Sequence, residues 1–149
     1  MNEPISIAEY LKTHETMTYS NVGVSMLPLL RQGKDLFTVR RKGPERCGTG
    51  DVVLYRRGTN YVLHRVVEVR PSDYVILGDN CVGKEYGITE ADIIGVMIGY
   101  VRNGKEHSVS DLDYRLYSWF ILHTIRPRIV LKKGRMKAAR FLKRGRHEE

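Results

Sequence analysis

The chain has 149 residues, 42% of them hydrophobic and 28% charged, the proportions of a globular domain able to bury a core without disulfide or metal staples. Its net charge of +8 is unevenly placed: residues 1–114 hold 14 Lys+Arg against 15 Asp+Glu, while residues 115–149 hold 11 against 2. The near-neutral body, without basic–aromatic interleaving on its strands, argues against a nucleic-acid-binding protein; the tail is drawn to polyanions such as an anionic membrane face or an acidic partner.

The first residues, MNEPISIAEYLKTHETM, lack the basic and apolar regions of a secretory signal. No stretch reaches the ~18–20 apolar residues that a spanning helix needs. The expected location is cytoplasmic or peripheral to a membrane. Cys47 and Cys81 form neither a CxxC pair nor a zinc spacing with the histidines, so free thiols or one disulfide both fit.

In chain order, residues 4–14 read as a short helix: Ile5, Ala8 and Leu11 recur at helical spacing, and Ser6 with Glu9 has capping-box spacing. From about 18 to 110 the signal is strand. β-branched runs at 36–41, 51–57, 61–69, 74–79 and 93–102 are separated by glycine-rich punctuation, with a hairpin turn at Gly58, Thr59 and Asn60. Short strands with frequent turns predict a mainly β, barrel-type or folded-over domain. From 111 the pattern turns helical, with Leu112, Leu116, Trp119 and Phe120 in register, a break at Pro127, and a second basic amphipathic helix over 131–146. The expected organisation is a β-domain over 1–113 and a basic helical segment over 114–149.

Three segments carry chemistry. In GVSMLPLL (23–30), Ser25 lies between the permissive Gly23 and the rigid Pro28, a setting for an exposed hydroxyl at a bend or for an ordinary turn serine. In YVLHRVVEV (61–69), His64 shares a strand face with Val62 and Val66. It is either a packed core histidine or a base whose ordinary pKa near 6.5 suits proton transfer around neutral pH. Arg65, on the opposite strand face, reads as a surface charge. In VILGDN (75–80), a strand ends abruptly at Asp79, a turn former or an acid able to orient His64.

SMxP, a GDVVLY strand, a strand with HRV and an LGDN turn, in that order from Gly23 to Gly99, resemble signal peptidase I and its S24/S26 relatives. HRV in place of a lysine resembles the Ser-His subtype of the endoplasmic reticulum, archaea and spore-forming bacteria. The resemblance implies a small β-barrel-type catalytic domain like that of the SOS repressors. It also implies a serine endopeptidase cleaving an extended peptide or protein after a small residue, with no cofactor or metal. By resemblance Ser25 is the nucleophile, His64 the general base, Asp79 the orienting acid and Glu85 a secondary acid. The substrate strand would lie beside Val22, Gly23 and Leu63. The family's usual transmembrane anchor has no counterpart in this sequence, which favours a dedicated maturation protease for a ribosomal peptide over bulk secretion. A catalytically silent peptide-binding relative is the other alternative. The partners expected are the peptide or protein substrate and, through the C-terminal tail, an anionic membrane surface; nucleic acid is not expected. Trp119, Phe120, Ile121 and Leu122 would form the apolar anchor, with Tyr114 and Tyr117 at the headgroup boundary.

Overall fold

The computed structural model describes residues 6–146. Eight strands, joined by tight turns, by longer loops over 21–35 and 42–51 and by a short 3-10 helix (Glu90–Asp92), lie between one N-terminal and two C-terminal α-helices. Helix α1 (Ile7–Thr13) begins where expected, at a capping box in which Ser6 accepts from Glu9 N–H and the Glu9 carboxylate accepts from Ser6 N–H; Ile5 lies outside the described residues. Strands β1 (Thr16–Ser20), β2 (Leu36–Arg41), β3 (Val52–Arg57), β4 (Asn60–Val69), β5 (Tyr74–Leu77), β6 (Glu85–Ile88), β7 (Ile93–Arg102) and β8 (Lys105–Ser108) form one antiparallel sheet.

The sheet runs β1-β2-β7-β3-β4-β5-β6, with β8 on the free end of β7. Among the described residues its outer strands β1 and β6 do not pair, so the expected barrel is an open sheet. Register shifts in β2, β3, β4 and β5 bend it, because a bulge adds a residue to one strand and increases local twist. The β3–β4 hairpin pairs Arg57 with Asn60 across a two-residue turn, and Gly58 takes φ +58, the left-handed conformation such a turn favours.

Two apolar clusters result. One gathers Leu11, Met26, Leu30, Val52, Leu54, Leu63 and Tyr114; the other gathers Val53, Tyr55, Val66, Tyr74 and Ile76. Residues 63–66 of β4 are therefore buried on both faces. This overturns the reading of Arg65 as a surface charge: its side chain is fully buried, because α2 covers the face that simple alternation assigns to solvent.

Helix α2 (Leu112–His123) and α3 (Ile125–Gly145) meet at Thr124 rather than at Pro127. Proline at the third position of α3 costs no hydrogen bond, since the first turn's N–H groups have no intrahelical acceptor. The apolar periodicity of α2 marks its outer side: Leu112, Leu116, Trp119 and Phe120 are exposed, while Tyr114 and Ile121 are buried. Tyr114 and Ile121 thus serve the core and not a headgroup boundary or an anchor. Among the described residues no helix is long and apolar enough to cross a membrane.

Candidate active site

The loop carrying Ser25 is fixed at its base. Asp35, fully buried, accepts from Arg31 N–H at 2.8 Å and pairs with the Arg31 and Arg102 guanidinium groups. Hydrogen bonding to Arg31 is the main cause that lowers the Asp35 pKa to about 2, against the opposing cost of burial. Asn21 Nδ2 donates to Gly23 O and Leu30 O, both at 3.3 Å, and ties the two arms of the loop together. None of these residues bears a motif signal.

At its tip, the Ser25 loop is held by the turn that follows β5. Asn80 N–H donates to Ser25 O at 2.8 Å, and Asn80 Nδ2 donates to Val24 O at 3.0 Å. Gly78 stands where the two segments meet the histidine. A Cβ added there would lie 2.6 Å from Cys81 Sγ, 2.8 Å from Ser25 O and 3.0 Å from His64 Nε2. The absence of a side chain at Gly78 is what lets the serine loop and the imidazole converge.

His64 comes from the middle of β4, opposite Val53 of β3, and is 5% exposed. Tyr55, two residues along β3 from Val53 and so on the same face, places its hydroxyl 3.2 Å from His64 Nδ1. Glu85 Oε1 stands 3.8 Å from the same nitrogen. Arg57 donates to Tyr55 Oη at 3.1 Å and forms an ion pair with Glu85. Burial first, then the Arg57 charge, lowers the His64 pKa to about 4, with Asp79 acting in the opposite direction. The imidazole is therefore neutral across physiological pH and does not titrate in the neutral range. Burial likewise pushes the Tyr55 hydroxyl up to about 12, so it stays protonated.

Asp79 does not occupy the orienting position expected of it. Its two carboxylate oxygens accept from Arg65 Nε and Nη2 at 2.8 Å each, and Oδ2 also accepts from Tyr117 Oη at 2.7 Å. Arg65 Nη1 donates to Gly50 O at 2.9 Å, to Ser118 Oγ at 2.8 Å and, at 3.4 Å, to Tyr114 Oη. Burial opposes the guanidinium charge, and the Asp79 bonds outweigh it, raising the Arg65 pKa. Burial and the Asp79 carboxylate together raise that of Tyr117. Asp79 thus acts on His64 only through space, and its hydrogen bonds brace the turn. The groups at His64 Nδ1 are Tyr55 and Glu85.

The C-terminal helices complete this brace, which the motif pattern does not reveal. Arg128 of α3 donates to Asp79 O and to Ile121 O, at 2.8 Å each, and Lys132 donates to Asn80 O and, at 2.8 Å, to Asn80 Oδ1. The basic segment is joined to the β-domain through the very turn that holds Ser25.

Ser25 and His64 open on one groove of about 700 Å³. Leu63, Val22, Cys81 and Glu85 line it, and so do Lys132 and Met136 of α3. Val22 is 75% exposed and Leu63 7%, so the first stands open to solvent and the second forms an apolar wall. Gly23 takes φ +82 at the bend beside them, a conformation natural to glycine. Cys47 and Cys81 are free thiols; Cys47 is buried, which pushes its pKa up to about 11. No family model, no curated protein and no solved structure matches this chain.

Proposed function

We propose that the chain is a serine endopeptidase of the signal-peptidase-like, Ser-His type, acting on an extended peptide or protein substrate and cleaving after a small residue. One observation carries the reading: the Ser25 backbone carbonyl and His64 Nε2 both lie within 3.0 Å of the same point beside Gly78, which brings the serine backbone next to the imidazole, and both residues open on one groove. The hydrogen-bond partner of His64 is Tyr55, so the Ser25 hydroxyl would reach Nε2 by side-chain rotation. Burial keeps the His64 imidazole neutral and so free to accept a proton, and Ser25 supplies a nucleophile on the same groove.

The chemistry follows from the tautomer. For Nε2 to accept the Ser25 proton, Nδ1 must carry hydrogen. Arg57 can only donate to Tyr55 Oη, which leaves that oxygen a second lone pair for His64 Nδ1–H. The Glu85 carboxylate on the same side favours hydrogen at Nδ1 and stabilises the imidazolium as it forms. Ser25 Oγ attacks the scissile carbonyl, His64 takes its proton and returns it to the leaving amine, and water releases the acyl-enzyme. Among the described residues the Ser25 N–H donates to no protein acceptor, so it is available to the oxyanion. The substrate strand would align beside Val22, Gly23 and Leu63 by main-chain hydrogen bonds. No cofactor or metal enters this mechanism. The finer fold assignment, a signal-peptidase-type catalytic domain within the open sheet, belongs to the same proposal.

The test is a peptide library read by mass spectrometry. Wild type should cleave, and Ser25→Ala and His64→Ala should each lose about 10⁴-fold or more in kcat. Binding without cleavage by wild type would mark a silent peptide-binding relative, and near-normal turnover in either variant would remove the dyad.

A further inference from the structure

Beyond Ala139, the last of its residues to line a groove with the β-domain, α3 has no packing partner among the described residues. It buries no residue, and every residue from 133 to 146 is exposed. Helices with polar surroundings on all sides usually owe their stability to something they pack on. Here the sequence shows what that something would be. At ~100° per residue, Val130, Leu131, Phe141 and Leu142 fall within one sector of about 120°. Phe141 is 79% and Leu142 69% exposed. Lys133, Lys137, Arg140 and Arg144 line one border of that sector, Arg135 the other, and the helix from Ile125 to Gly145 contains no acidic residue.

We infer that α3 is a docking element that lies in an anionic lipid surface, with Phe141 and Leu142 inserted and the flanking cations at the headgroups. The charge pattern selects a polyanion, and the uncovered aromatic and aliphatic side chains select one that also offers an apolar phase. A nucleic acid would satisfy the cations and leave Phe141 and Leu142 in water. The apolar strip continues toward α2, because Leu131 and Phe120 share one groove; Trp119, the residue before Phe120, is 59% exposed at a neighbouring cleft. Docking would also orient the candidate active site. The first turns of α3 hold Asp79 O and Asn80 through Arg128 and Lys132, so the Ser25–His64 groove is fixed relative to the docked helix. The inference stands whether or not the groove cleaves peptides.

The full chain is sedimented with phosphatidylcholine vesicles, with and without phosphatidylglycerol. It should pellet only with the anionic vesicles and come off in high salt, with a blue shift of Trp119, the one tryptophan. Replacing Lys133, Lys137, Arg140 and Arg144 by Gln should lower partitioning about 100-fold or more, and Phe141→Ser with Leu142→Ser about 10-fold or more. All of these side chains are exposed, so circular dichroism and cleavage of a soluble peptide without vesicles should stay at wild-type levels. If the serine pair binds as well as wild type while the glutamine set does not, the segment is a general polycation and lipid docking is wrong. Failure to pellet, or equal binding to neutral vesicles, overturns it as well, and so does retention on an acidic peptide or a nucleic acid without vesicle binding.

Discussion

Gly78→Ala isolates the geometry on which the proposed dyad depends. Gly78 lies outside the left-handed region, so alanine can adopt its backbone conformation; the cost is purely one of space. The new methyl would sit 2.8 Å from Ser25 O and 3.0 Å from His64 Nε2, where carbon–oxygen contacts normally begin at ~3.3 Å. The Cys81 thiol at 2.6 Å can swing away. The serine backbone and the imidazole cannot, because Asn80 N–H holds Ser25 O and Tyr55 holds His64. The two would be pushed apart by a total approaching ~1 Å, a displacement that costs on the order of 10²-fold in rate, or about 2.7 kcal/mol of barrier. Overpacking costs about 1–3 kcal/mol of stability, which a domain of this size survives. The assay is kcat/KM on a cleavable peptide beside a denaturant melt. Adding Cys81→Ala relieves only the thiol contact, so the double variant should remain impaired. A folded Gly78→Ala protein with wild-type turnover would refute the convergence of serine and histidine at this point.

Other outcomes follow from the same structure. Activity requires neutral His64, whose pKa is lowered to about 4, so kcat/KM should be flat from about pH 6 to 8 and fall only in acid; a limb near 6.5 would contradict the burial argument. Arg57→Gln removes a positive neighbour and frees Glu85, so the acid limb should move upward in a pH–rate profile, and a downward shift would count against the assignment of Arg57. Folded-state pKa values of His64 and Asp35 both lie below their ordinary values of 6.5 and 3.8. Stability should therefore be lost on acidification, first as pH falls from 6.5 toward about 4 and then from 3.8 toward about 2; pH-dependent unfolding with no loss in either window would refute this. Arg65→Met strands the Asp79 carboxylate in the interior and should cost about 3–5 kcal/mol in denaturant unfolding, most of it recovered by adding Asp79→Leu. Glu85→Gln should lower kcat with little change in stability, whereas Asp79→Asn should lower both; equal melting points for the two variants would remove the bracing role of Asp79.

How much was legible in the sequence depended on whether the signal was local. Strands β2 and β7 fall at their expected spans and β3, β4 and β5 within a residue or two of theirs, because each combines β-branched residues with nearby glycine punctuation. The short β1, β6 and β8 escape that pattern. For β8 a signal was present: Asn103 and Gly104, with φ of 51 and 74, form the turn that Asn-Gly predicts. Alternation failed in β4, where helix α2 covers the second face, and so Arg65 was assigned to the wrong environment. In α2 the periodicity was correct, and it marks the exposed side; the two tyrosines expected at a headgroup boundary instead turn inward, Tyr114 to Arg65 and Tyr117 to Asp79.

The same cause explains the candidate site. That Ser25 and His64 open on one groove was legible because their motifs set where the backbone bends and which face of a strand they take; Glu85, near the same imidazole, came from the family resemblance alone. The role of Asp79 was not, because it is decided by competition. A carboxylate at the end of β5 has His64 on one side and Arg65 on the other, adjacent residues that point in opposite directions from one strand. A fully buried guanidinium must be paired or it cannot remain charged inside the fold, while a neutral imidazole can be satisfied by a tyrosine hydroxyl. Arg65 has the stronger demand and takes the carboxylate, and α2 and α3 then close over the pair with Tyr117 and Arg128. In the proposed mechanism the orienting task falls to Tyr55 and Glu85, the groups beside His64 Nδ1 on the groove side. The turn that looked like part of the catalytic apparatus becomes the link between the serine loop and the C-terminal helices. If α3 docks on a surface, this link is the physical path by which docking would stiffen or shift the position of Ser25.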